Sequence, residues 1–119
     1  MNFYVNLPIL IGVIYTLISF ITERYPPKKI NMTYGYRTRR SMQNQSIWDY
    51  AQSAYPKVLM KGGLALIAIG TLLWLMGSSQ PVVLIAGIVG MFSVLIFLFV
   101  HVEGKLKQFE AENTSRRNP

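Results

Sequence analysis

Residues 58–102 read VLMKGGLALIAIGTLLWLMGSSQPVVLIAGIVGMFSVLIFLFVHV. A helix rises about 1.5 Å per residue, so roughly 20 apolar residues cross the ~30 Å hydrocarbon core of a bilayer. Two such lengths fit here, Val58 to Gly77 and Val82 to Val102. Ser78-Ser79-Gln80-Pro81 joins them and is too short for anything but a tight antiparallel hairpin. The one fixed charge in the stretch, Lys61, lies within a turn of its start, where a long side chain snorkels to the headgroups. Upstream, Phe3 to Thr22 makes a third span. Its Asn6 and Pro8 fall near the start, where proline is tolerated because the first helical N–H groups have no partners anyway.

The rest of the composition agrees. Hydrophobic residues make up 51% of the 119 and charged residues only 14%, against roughly a quarter charged in a soluble domain. The expected fold is therefore an all-α integral membrane protein: one domain over 1–119, spans near 3–22, 58–77 and 82–102, a motif loop 23–57 and a tail 103–119. No basic stretch precedes the first span and no small-residue cleavage site follows it, so that span is expected to be retained rather than removed as a signal peptide. The absence of cysteine excludes disulfides and thiolate chemistry.

Twelve Lys and Arg against five Asp and Glu give a net charge of +7. Eleven fall between spans one and two or after span three, and the twelfth, Lys61, lies within a turn of the same end of span two. Basic residues are retained on the cytoplasmic side. The expected placement is thus multi-pass in a membrane, with the N-terminus and hairpin tip outside and the loop and C-terminus inside. Because the bases flank apolar spans, they speak for orientation and for anionic lipid headgroups, and no nucleic-acid partner is expected.

Lipid gives helices no hydrophobic reason to associate, so small residues mark close contacts. Gly63, Gly70 and Gly77 repeat on span two, Ala86, Gly90 and Ser93 on span three, and Gly12, Thr16 and Ser19 on span one. These faces predict a compact three-helix bundle, or one closed by homodimerisation. No span carries an ionisable group near its centre, which argues against a pump or channel.

Residues 23–57 are long for a connection and rich in specific residues. Tyr25-Pro26-Pro27 ends the first helix, and Lys28 and Lys29 sit at headgroup level. In Asn31-Met32-Thr33-Tyr34-Gly35-Tyr36-Arg37-Thr38-Arg39-Arg40-Ser41-Met42, Gly35 can take a positive φ and turn both tyrosine rings onto the interface. Arg37, Arg39 and Arg40 with the Thr38 and Ser41 hydroxyls suit a phosphate or carboxylate; equally, Tyr and Arg here serve as headgroup anchors. Capped by Ser41 or Asn44, Gln45 to Tyr55 reads as a short interfacial helix stopped by Pro56. Its Trp48, Ala51 and Tyr55 share one stripe, with Gln45, Asp49 and Gln52 opposite. Asp49, the one acid between Glu23 and Glu103, is the expected partner of an arginine in the loop. His101, beside Glu103, reads as a structural helix-end histidine, and five scattered acids propose no metal site. A frayed helical extension and then disorder are expected from Lys105 onward.

Asn31, Tyr34-Gly35-Tyr36-Arg37-Thr38, Ser41-Met42, Asn44, Trp48 and Ala51, followed by the apolar hairpin, resemble the SdpI/YfhL-like bacterial membrane proteins. The resemblance covers roughly residues 25–102 and implies a bacterial cytoplasmic (inner) membrane. Arg39 stands where many relatives have proline, Gln45 and Ser46 stand where acids precede the tryptophan, and the best-known relative has extra spans ahead of this unit. The resemblance implies a non-enzymatic protein of the toxin-immunity type, with a secreted peptide toxin or a protein as partner and no cofactor. Its candidate binding residues are Tyr34, Gly35, Tyr36, Arg37, Thr38, Arg39, Arg40, Ser41, Asn44 and Trp48, supported by Asn31, Asp49, His101 and Glu103. Two other readings stand beside it. One is a protein that binds anionic lipid or another phosphate ligand, or an accessory subunit for envelope or transport. The other is a membrane enzyme, which would need His101 and Glu103 to approach the loop.

Overall fold

The computed structural model describes residues 5–31 and 35–117, with side chains as far as Glu112. The described residues form three helices: α1, Leu7–Arg24; α2, Gln45–Leu75; and α3, Gln80–Arg117. All three are long and apolar enough to cross a membrane, and together they define a multi-pass membrane protein. The twelve basic residues gather at the end of the bundle away from the α2–α3 turn.

Each boundary has a local cause. The Asn6 side chain accepts from the Ile9 N–H (3.2 Å) to start α1, with Pro8 in the first turn, and Pro26-Pro27 follows its end. Asn44, rather than Ser41, caps α2 by accepting from the Ile47 N–H (2.9 Å). At the other end of α2, Gly77 takes φ +70°. The Ser78 N–H reaches the Leu73 carbonyl (3.0 Å) and the Gly77 N–H the Trp74 carbonyl (3.1 Å). This pairing is the Schellman closure of a helix, and it needs a left-handed residue at the position Gly77 fills.

Two expected boundaries are corrected. The interfacial helix and the second span are one 31-residue helix that runs through Pro56. Proline removes one backbone bond, yet the buried stripe Trp48, Ala51, Tyr55, Leu59, Gly63, Leu66 and Gly70 continues at three- and four-residue steps across it. A break at Pro56 would rotate one half of that stripe away from its partners, and membrane-protein helices accommodate proline where neighbours support them. Likewise α3 continues past Val102 to Arg117, where a frayed extension and then disorder were expected from Lys105. Leu98, Val102 and Leu106 are buried in one line, and Phe109 stacks on Tyr50 of α2 with ring centroids 4.6 Å apart. Packing rather than the membrane thus holds the end of this helix, which at about 1.5 Å per residue outruns a ~30 Å core.

The small-residue faces are partly as expected. A β-carbon on Gly12 would lie 2.5 Å from the Gly63 carbonyl oxygen, and one on Gly63 would lie 2.7 Å from Thr16 Oγ1. Backbone therefore meets backbone where α1 crosses α2. Gly70 receives Asn6, whose Nδ2 donates to the Gly70 carbonyl (2.9 Å). Gly77 serves the turn instead of the stripe, Ser93 is exposed, and α3 presents Gly87 to Leu7 and Gly90 to Leu66. At the hairpin end the Gln80 amide pairs twice with Val5, accepting from its N–H (3.1 Å) and donating to its carbonyl (2.8 Å). Gly63→Ala forces α1 and α2 apart and is expected to destabilise the detergent-solubilised protein by about 1–3 kcal/mol. Gly104→Ala, where a β-carbon meets nothing within 4 Å, is the neutral control in the same thermal-unfolding measurement.

Candidate functional site at the basic end

Beyond the crossing, the first turns of α2, the last turns of α3 and the loop between α1 and α2 assemble one structure. Its centre is the side chain of Gln52. Gln52 is buried; its Oε1 accepts from the Tyr36 N–H (2.8 Å) and its Nε2 donates to the Tyr36 carbonyl (2.8 Å). The carboxamide thus imitates a neighbouring strand and satisfies both backbone groups of one loop residue. Gly35 must approach closely for this to happen. At φ +103° its absent β-carbon would lie 2.6 Å from both Gln52 Oε1 and Pro27 Cγ. The expected positive φ at Gly35 is present, but its consequence differs, because Tyr36 turns inward. The Tyr36 ring stacks on Tyr55 (centroids 5.8 Å apart) and its hydroxyl donates to Glu103 Oε1 (3.0 Å). Burial first, and the hydrogen bond and charge of Glu103 second, push its pKa upward and keep the phenol protonated as a donor.

The remaining loop residues lock this arrangement. Trp48 is wholly buried and its indole N–H donates to the Pro27 carbonyl (2.7 Å). The buried Ser41 hydroxyl accepts from the Thr38 N–H (2.8 Å) and lies 3.0 and 3.1 Å from the Tyr36 and Thr38 carbonyls, between which its single hydrogen is shared. Thr38 Oγ1 accepts from the Ser41 N–H (3.1 Å). Both hydroxyls therefore serve the backbone, in place of the ligand-facing donors the sequence suggested. Asn44 caps α2, and Asn31 Nδ2 donates to the Lys29 carbonyl (3.0 Å). Tyr34 lies outside the described residues.

Arg40 joins the loop to α3. Its Nε lies 3.3 Å from Glu103 Oε2 and its terminal nitrogen bonds Glu110. This corrects the expected pairing with Asp49, which instead accepts from Gln45 Nε2 (2.7 Å). The extension of α3 supplies the nearer acids, and it is a packed helix where a frayed one was expected. His101 does not join Glu103: it is exposed and stacks on Phe97 (centroids 5.5 Å apart), on another face of α3. Gln52 and Glu110 were missed by sequence reasoning. Gln52 is four residues after Trp48 and three before Tyr55, a spacing that places it on the buried stripe's flank and was the available signal.

Arg37 and Arg39 remain exposed. With Thr38, Arg40, Gln43, Phe99 and Glu103 they line an open groove of about 690 Å³. The predicted residues thus separate into a scaffold (Gly35, Tyr36, Ser41, Asn44 and Trp48), a strut that also forms the groove wall (Thr38 and Arg40), and two presented guanidiniums. Among the described residues no group of three or more His, Asp or Glu side chains is placed to hold a metal.

Three membrane-spanning helices carrying a docked, arginine-bearing loop at their basic end define the class of protein. The chain belongs to the SdpI/YfhL protein family, whose sequence pattern matches residues 28–100. It is also similar to the uncharacterized protein YfhL of Bacillus subtilis (strain 168), 31% identical over 96 residues, which is 81% of this chain and 82% of that one. No solved structure matches.

Replacing Gln52 by Leu leaves the Tyr36 N–H without its partner and the Tyr36 carbonyl with only the shared Ser41 hydroxyl. A loss of about 1–3 kcal/mol per unpaired buried group is expected. Hydrogen exchange resolves it: amides of residues 35–43 gain exchange far more than those of α1.

Proposed function

We propose that this protein is a non-enzymatic interaction protein of the immunity type, in which the docked loop recognises a secreted peptide toxin or the membrane component such a toxin attacks. The observation that carries this reading is the groove of Arg37 and Arg39, held on a scaffold whose own polar groups are already paired. Two planar guanidiniums beside Phe99 suit a carboxylate or phosphate joined to an apolar segment. The arrangement of His101 and Glu103 supports a binding role over catalysis. The former stacks on Phe97 and the latter is engaged by Tyr36 and Arg40, so no general acid–base pair forms between them. In cells challenged with a secreted peptide toxin, Arg37→Ala and Arg39→Ala are expected to abolish protection at unchanged membrane abundance. Full protection by well-expressed variants refutes the role of the groove.

The second reading is recognition of an anionic lipid headgroup by the same guanidiniums. It is favoured by the exposed Phe99 at the groove's edge, positioned to meet acyl chains.

Both readings place the basic end on the cytoplasmic side of the inner membrane, in accord with the segregation of Lys and Arg. Because the chain has no native cysteine, single introduced cysteines test this. Ser79→Cys, at the exposed hairpin tip, is expected to react with a membrane-impermeant maleimide added outside intact cells. Ser53→Cys, exposed at the basic end, is expected to react only after lysis.

A further inference from the structure

A second basic site lies between α2 and α3, away from the loop groove. Lys57 and Lys61 are four residues apart on α2, and His101 and Lys105 four apart on α3, so each pair shares a helix face. The two faces meet around a pocket of about 230 Å³ completed by Tyr50, Ser53, Ala54 and Val58. No acid lines it. None of the three lysines joins an ion pair among the described residues, and the acids nearest in sequence are engaged elsewhere: Glu103 and Glu110 with Arg40, Asp49 with Gln45. The Tyr50 ring is clamped against Phe109, and its hydroxyl has no hydrogen-bond partner among the described residues. Three lysines, a histidine and a tyrosine thus line one small space that no acid shares, side chains rich in donors.

The depth of the pocket identifies what meets it. From Leu75 back to Lys57, and from Gln80 on to His101, α2 and α3 each rise about 30 Å at ~1.5 Å per residue, one hydrocarbon thickness from the hairpin turn. The cations therefore stand at headgroup level, and Lys61, one turn deeper, reaches up to them. Next along the same region, toward the hairpin, Leu64 and Phe97 are apolar and exposed, and Phe97 stacks against His101. Polar donors above an apolar surface match an amphiphile with a phosphate head and acyl tails. We propose that the Lys57–Lys61–His101–Lys105 pocket binds the phosphodiester headgroup of an anionic phospholipid, in a site separate from the Arg37 and Arg39 groove.

The test uses the full-length protein in phosphatidylcholine vesicles containing graded phosphatidylglycerol. Phosphatidylglycerol is expected to protect Lys57, Lys61 and Lys105 from amine acylation, read residue by residue by mass spectrometry. It is also expected to stay bound to the gently extracted protein. Replacing all three lysines with Gln should weaken retention a hundredfold or more, because each loses a charge-assisted hydrogen bond to the headgroup, a roughly tenfold loss apiece. Replacing them with Arg should preserve it and shows that the pocket still folds. A triple Gln variant at Lys28, Lys29 and Lys107 removes the same charge outside the pocket and should lower retention severalfold at most. Equal losses in the two Gln variants reduce the effect to general surface attraction and overturn the proposal. Failure of the wild type to retain phosphatidylglycerol overturns it too. Equal protection of the lysines by inorganic phosphate in pure phosphatidylcholine vesicles assigns the pocket to a free anion and overturns the lipid assignment.

Discussion

A buried carboxamide must find both a donor and an acceptor, and Gln52 finds them on a single residue, Tyr36. Everything at the basic end depends on this pairing. It holds the loop backbone against α2, so the Tyr36 ring is placed on Tyr55 and its hydroxyl within reach of Glu103. It demands the close approach of Gly35 and the wall formed by Pro27, whose carbonyl is in turn fixed by Trp48. Once Tyr36 is seated, the turn made by Thr38 and Ser41 sets the direction of Arg40 toward α3 and leaves Arg37 and Arg39 facing outward.

The same device appears at the opposite end of the molecule, where Gln80 pairs with both backbone groups of Val5. Each glutamine ties an irregular segment to a helix at a point where that segment has no regular partner of its own. Between these ties, glycines do the work that burial does in water. Hydrocarbon offers no hydrophobic drive to bring α1 onto α2, so contact depends on surfaces that approach closely enough for dispersion and for the Asn6 bond to Gly70 to count.

The spans were legible because their signal is collective: a run of apolar residues with charge only at its ends needs no knowledge of tertiary contacts. Asn44 and Gly35 were legible because capping and positive φ are local demands. Pro56 misled for the same reason: its local preference is to stop a helix, while the stripe from Trp48 to Gly70 that overrides it is a property of packing. Thr38, Ser41 and Arg40 looked like a ligand constellation because residue type gives donors but not their direction. In the folded chain the two hydroxyls bond backbone, and Arg40 bonds two carboxylates on a helical extension that the sequence led one to expect frayed.

The distribution of charge follows from these contacts. Of the three loop arginines, Arg40 is neutralised by Glu103 and Glu110, and those acids are thereby withdrawn from the lysines on the neighbouring helix faces. Among the described residues, Lys57, Lys61 and Lys105 have no protein counter-ion while that strut docks the loop. Arg37 and Arg39 stand in a separate, wider groove beside Phe99. A fold that gathers its basic residues at one end while Glu103 and Glu110 both serve Arg40 leaves that end strongly positive, and the strut that presents the loop sets this balance.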